Sequence, residues 1–213
     1  PVRISVLGAS GRTGRQVVEQ ALEAGHEVVA FVRRPEALDA LCERLTVVQG
    51  DVLDAERVSE AVAGADAVVS ALGPRRDSPE AMLTRGMANV VAAMKEHGVR
   101  RLIVLTGAGV RLENDPTSPG RSIMLGLLGL LAPSALRDSQ GAVEVIRASG
   151  LAWTVIRVPR LSDGRKTGRV RSGALRLGPG HAISRADVAA FVLEQLADDR
   201  FMQQAPMVAP AGR

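Results

Sequence analysis

Three glycines spaced two residues apart, Gly8, Gly11 and Gly14, stand between an apolar β-branched run at 2–7 and a helical pattern. In that pattern Val17, Val18, Ala21 and Leu22 share one face. A strand, a glycine turn and a helix in this order are suited to holding an anion. The helix start presents unpaired N–H groups and the positive end of its dipole, so it can hold a pyrophosphate. On this reading Gly8 permits the tight turn, Gly11 admits phosphates close to the backbone, and Gly14 lets the helix lie against the strand. The spacing is G-x-x-G-x-x-G rather than the commoner G-x-G-x-x-G. The competing reading is a purely structural turn.

Cofactor choice is set where the second strand ends, about 20 residues after such a turn, where an acidic residue would bind the ribose hydroxyls of NAD. Here the position carries Arg33 and Arg34, with Glu36 displaced beyond Pro35. A guanidinium fork matches a phosphate, which points to the 2′-phosphate of NADP(H). Solvated arginines are the alternative. Arg12, inside the turn, is placed to reach either the same phosphate or the pyrophosphate. In Gly50-Asp51-Val52-Leu53-Asp54, Asp51 is the candidate acceptor for the adenine amino group, and Asp54 reads as a helix N-cap. Ala71, Leu72 and Gly73 follow the fourth strand and bring backbone towards the cofactor. Thr106 ends the fifth strand and Pro159-Arg160 the sixth, on the side where ligands of open parallel sheets bind. Two of these are catalytic candidates. Thr106 would orient a carboxamide or a substrate carbonyl, if it is not simply a structural hydrogen-bonder. Arg160 would stabilise negative charge on a reduced acceptor, if it is not a surface ion pair.

These residues need a scaffold, and the chain alternates strand-like with helix-like stretches. Strands are expected at 2–7, 27–32, 45–49, 66–72, 101–106 and 151–158, with a short terminal one at 206–209. Helices are expected directly after the glycine turn and at about 36–44, 54–63, 78–97, 135–149 and 184–198. That is the pattern of a doubly wound α/β Rossmann fold with a mainly parallel central sheet. One dinucleotide-binding domain over 1–213 is expected, with a substrate-side region at about 107–135 and 159–182.

Composition excludes several classes. The 213 residues carry a net charge of +4 and have four aromatics, none of them tyrosine. So few aromatics make no base-stacking platform, and nucleic acid is not an expected partner. No leader and no membrane-length apolar run is visible, so a cytoplasmic protein without a membrane partner is expected. The lone Cys42 reads as a buried structural thiol. His26, His97 and His181 show no metal-ligand spacing, so no metal is expected.

The chain resembles a known family along nearly its whole length. Gly8-Ala-Ser-Gly-Arg-Thr-Gly14, Val32-Arg-Arg34, Gly50-Asp-Val-Leu53 and Gly64-Ala-Asp-Ala-Val68 carry the likeness. So do Asn89-Val-Val-Ala-Ala-Met-Lys-Glu-His-Gly-Val99, Ala148-Ser-Gly-Leu151 and Ile183-Ser-Arg-Ala-Asp187. Together they look like the atypical short-chain dehydrogenase/reductases, and among these the NAD(P)H-binding NmrA-like proteins that include flavin reductase/biliverdin reductase B. The resemblance implies that Gly8, Ser10, Gly11, Arg12, Thr13 and Gly14 hold the phosphates, with Arg33 on the 2′-phosphate and Asp51 near adenine. It implies that Leu72, Gly73, Thr106 and Pro159 line the nicotinamide side.

The chain also departs from the family. With no tyrosine, the Tyr-x-x-x-Lys proton-donor pair of the wider superfamily is absent. Where flavin-reductase relatives place a serine after the fifth-strand threonine this chain has Gly107, and where they place a histidine after the sixth-strand proline it has Arg160.

Hydride transfer to a flavin or quinone needs chiefly a held nicotinamide and a stacked acceptor. An NADPH-dependent reductase of FMN, another flavin, a quinone or a similar conjugated acceptor is the expected function. A redox-sensing NADP(H)-binding protein without turnover is the alternative. A sugar-nucleotide epimerase or dehydratase lacks its acid–base group.

Two stretches bear on the acceptor. The apolar run 123–131 reads as a buried helix or lid base, a mobile lid, or a subunit contact. Between 157 and 176, seven basic residues stand against Asp163. They read as a solvated β-hairpin face or as a site for an anionic acceptor.

Overall fold

The computed structural model describes residues 1–37, 43–74, 77–112, 115, 122–123, 126, 129–177 and 180–211. Strands β1 (Arg3–Leu7), β2 (Glu27–Val32), β3 (Leu45–Gln49), β4 (Ala67–Ser70), β5 (Arg101–Gly107) and β6 (Ala152–Val158) form a parallel sheet. Helices α1 (Arg12–Glu23), α2 (Ala55–Val62), α3 (Met82–Glu96) and α4 (Pro133–Arg147) make the crossovers. The later chain adds β7 (Arg160–Ser162), β8 (Val170–Gly173), β9 (Ala182–Ser184), α5 (Arg185–Glu194) and β10 (Met207–Pro210). The order across the eight-stranded sheet is β3-β2-β1-β4-β5-β6-β10-β8, and only β8 runs antiparallel. The chain turns back between β1 and β4, so a crevice opens there at the carboxyl ends of the strands.

Strands covered on both faces read as near-continuous apolar runs, and Val28–Val32 of β2 and Ala67–Val69 of β4 do so. One face packs Val58 and Val62 of α2, Val90 and Met94 of α3, and Val143 and Ile146 of α4 against Leu102 and Val155. The other packs Val17, Val18 and Ala21 of α1 and Val188 and Val192 of α5 against Ile4, Val6 and Ile103. These apolar stripes recur at helical spacing, which is why the sequence pattern located the helices.

The expected strands at 27–32 and 45–49 form with those bounds, and the others differ at their ends. Of the helix expected at 36–44, the structure shows a 3₁₀ turn, Pro35–Ala37, at the start and a non-helical turn at 43–44; residues 38–42, with Cys42, lie outside the described residues. The helix expected at 78–97 begins only at Met82. Its N-cap, Ala81, takes a left-handed φ of 53° and gives no side-chain cap.

A carboxylate from the neighbouring helix supplies that cap. Asp138 of α4 accepts from the Leu83 and Thr84 backbone N–H groups at 2.9 and 2.8 Å and from Thr84 Oγ1 at 2.8 Å. Gly141 allows this approach, since a Cβ there would lie 2.6 Å from Thr84 Oγ1.

Two expectations are corrected. The 157–176 segment is not a hairpin: β8 pairs with β10, and β7 pairs in parallel with β9 as a separate two-stranded sheet. The apolar run 123–131 is helical where described but not buried, with Ile123, Leu130 and Leu131 60%, 78% and 77% exposed. Among the described residues no helix is long and apolar enough to cross a membrane.

Candidate functional site

The crevice at the β1/β4 switch is a cleft of about 710 Å³. The glycine turn forms its centre. Gly8 has a φ of +76°, and a Cβ there would press on the Ala71 carbonyl at 3.0 Å, so glycine is needed for both backbone angle and space. Gly11 is the N-cap of α1, accepts from Arg15 N–H at 2.8 Å, and offers no side-chain cap. No acidic residue stands in the first turn of α1. The helix start therefore keeps free N–H groups and an uncompensated positive end, facing the cleft between Ser10, Gly11, Arg12 and Thr13. Gly14 does not line the cleft. A Cβ on it would sit 2.1 Å from the Gly8 oxygen, so its part is to let α1 pack on the turn.

One end of the cleft is built by the ends of β2 and β3. Arg33 lines it beside Phe31 and Val32, and its carbonyl accepts from Gln49 Nε2 at 3.3 Å. Arg34 is exposed and lies outside the lining, so of the two expected arginines only Arg33 faces the cleft. Asp51 and Val52 line it too. Asp51 Oδ1 accepts from Leu53 N–H at 2.9 Å, fixing the loop, and Asn89 of α3 donates to the Val52 carbonyl at 2.9 Å. Asp54 caps α2 as expected, accepting from Glu56 and Arg57.

At the other end Ala71, Leu72, Gly73, Thr106 and Pro159 line the cleft, with Gly107 open beside Thr106. Arg160 does not. Side chains alternate along an extended segment, so Pro159 and Leu161 face the cleft while Arg160 points away into solvent. The charge-stabilising role considered for Arg160 has no geometric basis.

The sequence reading omitted several lining residues. Ser78, Pro79, Met82 and Leu83 come from the α3 entrance and Ser139 from α4, held together by the Asp138 cap. Arg185 begins α5 and reaches the glycine turn from the far end of the chain. Its side chain is only 11% exposed and pairs with Asp163 at 2.5 Å; Arg12 pairs with the other oxygen of that carboxylate at 3.2 Å. A basic residue directly after a serine N-cap was the available signal, and it is a weak one.

Arg185 is held in place by a neighbouring network. Ser184 caps α5 through the Asp187 N–H at 3.0 Å, and the Asp187 carboxylate accepts from Ser184 Oγ, Thr167 N and Oγ1, and Gly168 N at 2.7–2.9 Å. Burial alone would raise the Asp187 pKa, but the hydrogen bonds from Gly168, Thr167 and Ser184 outweigh it and hold the carboxyl below its ordinary 3.8. A lowered folded-state pKa gives stability that is complete above the unfolded value and is lost as pH falls through the folded value. Asp187→Asn is therefore expected to cost about 1–2 kcal/mol near neutral pH. Paired thermal melts should show a constant gap between native protein and variant above about pH 5, narrowing below about pH 4.

The basic residues of 157–176 do not form one surface. Arg157 is buried within β6, pairing with Asp115 at 2.6 Å and donating to the Val110 and Ala205 carbonyls. The remaining basic residues of 157–176 are exposed, as a solvated face requires.

A family model described as NAD(P)H-binding matches residues 8–199. YwnB of Bacillus subtilis, an uncharacterized protein, is 26% identical over 210 residues, covering 92% of each chain. The chain spans 35% of the longer cinnamoyl-CoA reductase 1 of Petunia hybrida, at 33% identity over 117 residues and half of this chain. Among solved structures, the anaerobillin reductase ChuY of Escherichia coli O157:H7 superposes with a TM-score of 0.77 at 24% identity, over 98% of this chain and 97% of that one. A short-chain dehydrogenase/reductase of Veillonella parvula in complex with NADP superposes at 0.81 and 22% identity, over 99% and 95%. The chain belongs to the NAD(P)H-binding family and has a Rossmann fold.

Proposed function

We propose that the protein is an NADPH-dependent oxidoreductase that passes hydride to a flavin, a quinone or a similar conjugated acceptor, without a Tyr-Lys pair. The observation that carries the cofactor choice is Arg33, the lining residue directly after β2, where an NAD enzyme would present a carboxylate. The cleft fits a dinucleotide: Gly8 and Gly14 let the turn, α1 and the Ala71 backbone close up without side chains between them, and the N–H groups at the start of α1 are left for phosphate. Gly8, Ser10, Gly11, Arg12 and Thr13 would hold the pyrophosphate, Arg33 the 2′-phosphate, Asp51 and Val52 the adenine. Leu72, Gly73, Thr106 and Pro159 would border the nicotinamide. NADPH, when bound, supplies the hydride.

The acceptor end is mostly apolar, through Leu72, Pro79, Met82, Leu83 and Leu161, with the hydroxyls of Ser78, Thr106 and Ser139 among them. Such a wall suits a flat conjugated ring and excludes water from its face. Among the described residues, the ionisable ones that line the cleft, Arg12, Arg33, Asp51 and Arg185, belong to the turn and the β2–β3 end, or to the Asp163 network. That favours acceptors whose reduced form is a delocalised anion over simple ketones, which need an acid. The same observation favours the second reading, an NADP(H)-binding redox sensor.

NADPH oxidation followed with FMN, riboflavin and simple quinones separates the two readings. Turnover with one of these acceptors supports the reductase; tight NADPH binding with no turnover on any of them supports the sensor. Gly107→Ser is a further test. A Cβ at Gly107 would lie 4.0 Å from its nearest neighbour, Gly109 N, so a hydroxyl fits beside Thr106 without strain. The variant is expected to keep its melting temperature and raise turnover severalfold by adding a hydrogen-bond donor at the reacting end. A drop in activity would argue that this end is closed by packing.

A further inference from the structure

One carboxylate at the mouth of the cleft holds two guanidinium groups. Asp163 follows β7, and its side chain is 67% exposed. Its oxygens pair with Arg12 on the glycine turn at 3.2 Å and with Arg185 on α5 at 2.5 Å. The two arginines differ in freedom: Arg12 is largely exposed, whereas Arg185 is nearly buried and fixed at the start of a capped helix. Both line the cleft beside the α1 N-terminus, but Asp163 is not among the lining residues.

We infer that Arg185 is a pyrophosphate-binding residue and that Asp163 is its resident counter-anion, competing with the dinucleotide for Arg12 and Arg185. The inference rests on the dinucleotide reading of the cleft. A charged side chain buried this far needs an anionic partner, and Asp163 supplies one while no phosphate is bound. A pyrophosphate brings more charge, and oxygens matched to two guanidinium forks, so it takes over those donors. The exposed Arg12–Asp163 pair is held only weakly and is easily exchanged. Asp163 thereby sets cofactor affinity from outside the contact surface, and it ties the 160–168 segment to the turn only while the cleft lacks phosphate.

The test is fluorescence titration of NADPH, with adenosine 2′-phosphate, which has no pyrophosphate, as the control ligand. Asp163→Asn keeps an acceptor oxygen for Arg185, so its fold should persist, and Asp163→Glu keeps the charge. At low salt Asp163→Asn should bind NADPH about three- to fivefold tighter, with the gain fading in high salt and adenosine 2′-phosphate unaffected. Asp163→Glu should bind like the native protein. Arg185→Ala should bind NADPH about tenfold more weakly. Weaker NADPH binding by Asp163→Asn, or equal gains for both ligands, overturns the inference and makes Asp163 a structural strap. A native protein that binds no NADPH overturns the dinucleotide reading itself, a result distinct from a native protein that binds while the variants do not shift.

Discussion

Gly14→Ala should abolish NADPH binding and destabilise the fold by about 3 kcal/mol or more. The added Cβ would fall 2.1 Å from the Gly8 oxygen, 2.8 Å from its carbonyl carbon and 2.9 Å from Ala9 Cα. All three atoms are backbone of the turn, so no rotamer change relieves the clash. Either α1 lifts off β1, which uncovers Val17, Val18 and Ala21, or the turn opens and the anion cradle is lost. Gly11→Ala is the informative control. Its Cβ would meet only the Gly8 oxygen, at 3.2 Å, and Gly11 has an ordinary φ of −71°. A loss of about 1 kcal/mol at the N-cap is expected there, with NADPH binding impaired because Gly11 faces the cleft. Chemical denaturation with parallel NADPH titration separates the two: Gly14 acts through the fold and Gly11 through ligand approach. Equal stabilities for the two variants would contradict the packing argument.

Arg33→Ala should weaken NADPH binding by about thirtyfold, or roughly 2 kcal/mol, and leave NADH binding unchanged within about twofold. The reason is chemical. The two cofactors differ only in the 2′-phosphate, and Arg33 is the cationic lining residue at the β2 end of the cleft. Arg34, exposed and turned away from the lining, should tolerate the same replacement with little effect on either cofactor. The Arg33–Arg34 pair thus offers an internal control of the same residue type one position apart. Comparable losses for NADPH and NADH would remove Arg33 from the 2′-phosphate, and a large effect at Arg34 would reverse the assignment.

Much of the frame was legible because apolar periodicity is strong where an element is buried. β2 and β3 appear at the expected bounds, and the glycine turn was recognisable from its place between an apolar strand and an amphipathic helix. The misses have physical causes. Strands of three residues, such as β7 and β9, are too short to show a period, so their parallel pairing could not be read locally. That pairing carries Ser184 and Arg185 to the turn, so Arg185 entered the site unannounced. Charge counting failed at Arg157, where position outweighs type: an arginine inside an otherwise apolar strand signals a buried pair, and Asp115 provides it. Arg160 was misplaced because a strand end was treated as a point, whereas alternation sends neighbours to opposite sides. The run 123–131 looked buried from composition alone, and where described it faces solvent.

The central claim is that this turn serves NADPH-dependent reduction of a conjugated acceptor. Its most direct test is the kcat/KM for NADPH and for NADH, measured with one acceptor, FMN or a simple quinone, held saturating. The account predicts steady turnover with NADPH favoured by about tenfold or more, a preference that collapses in Arg33→Ala. Turnover with no preference between the cofactors, or a preference for NADH, would contradict it.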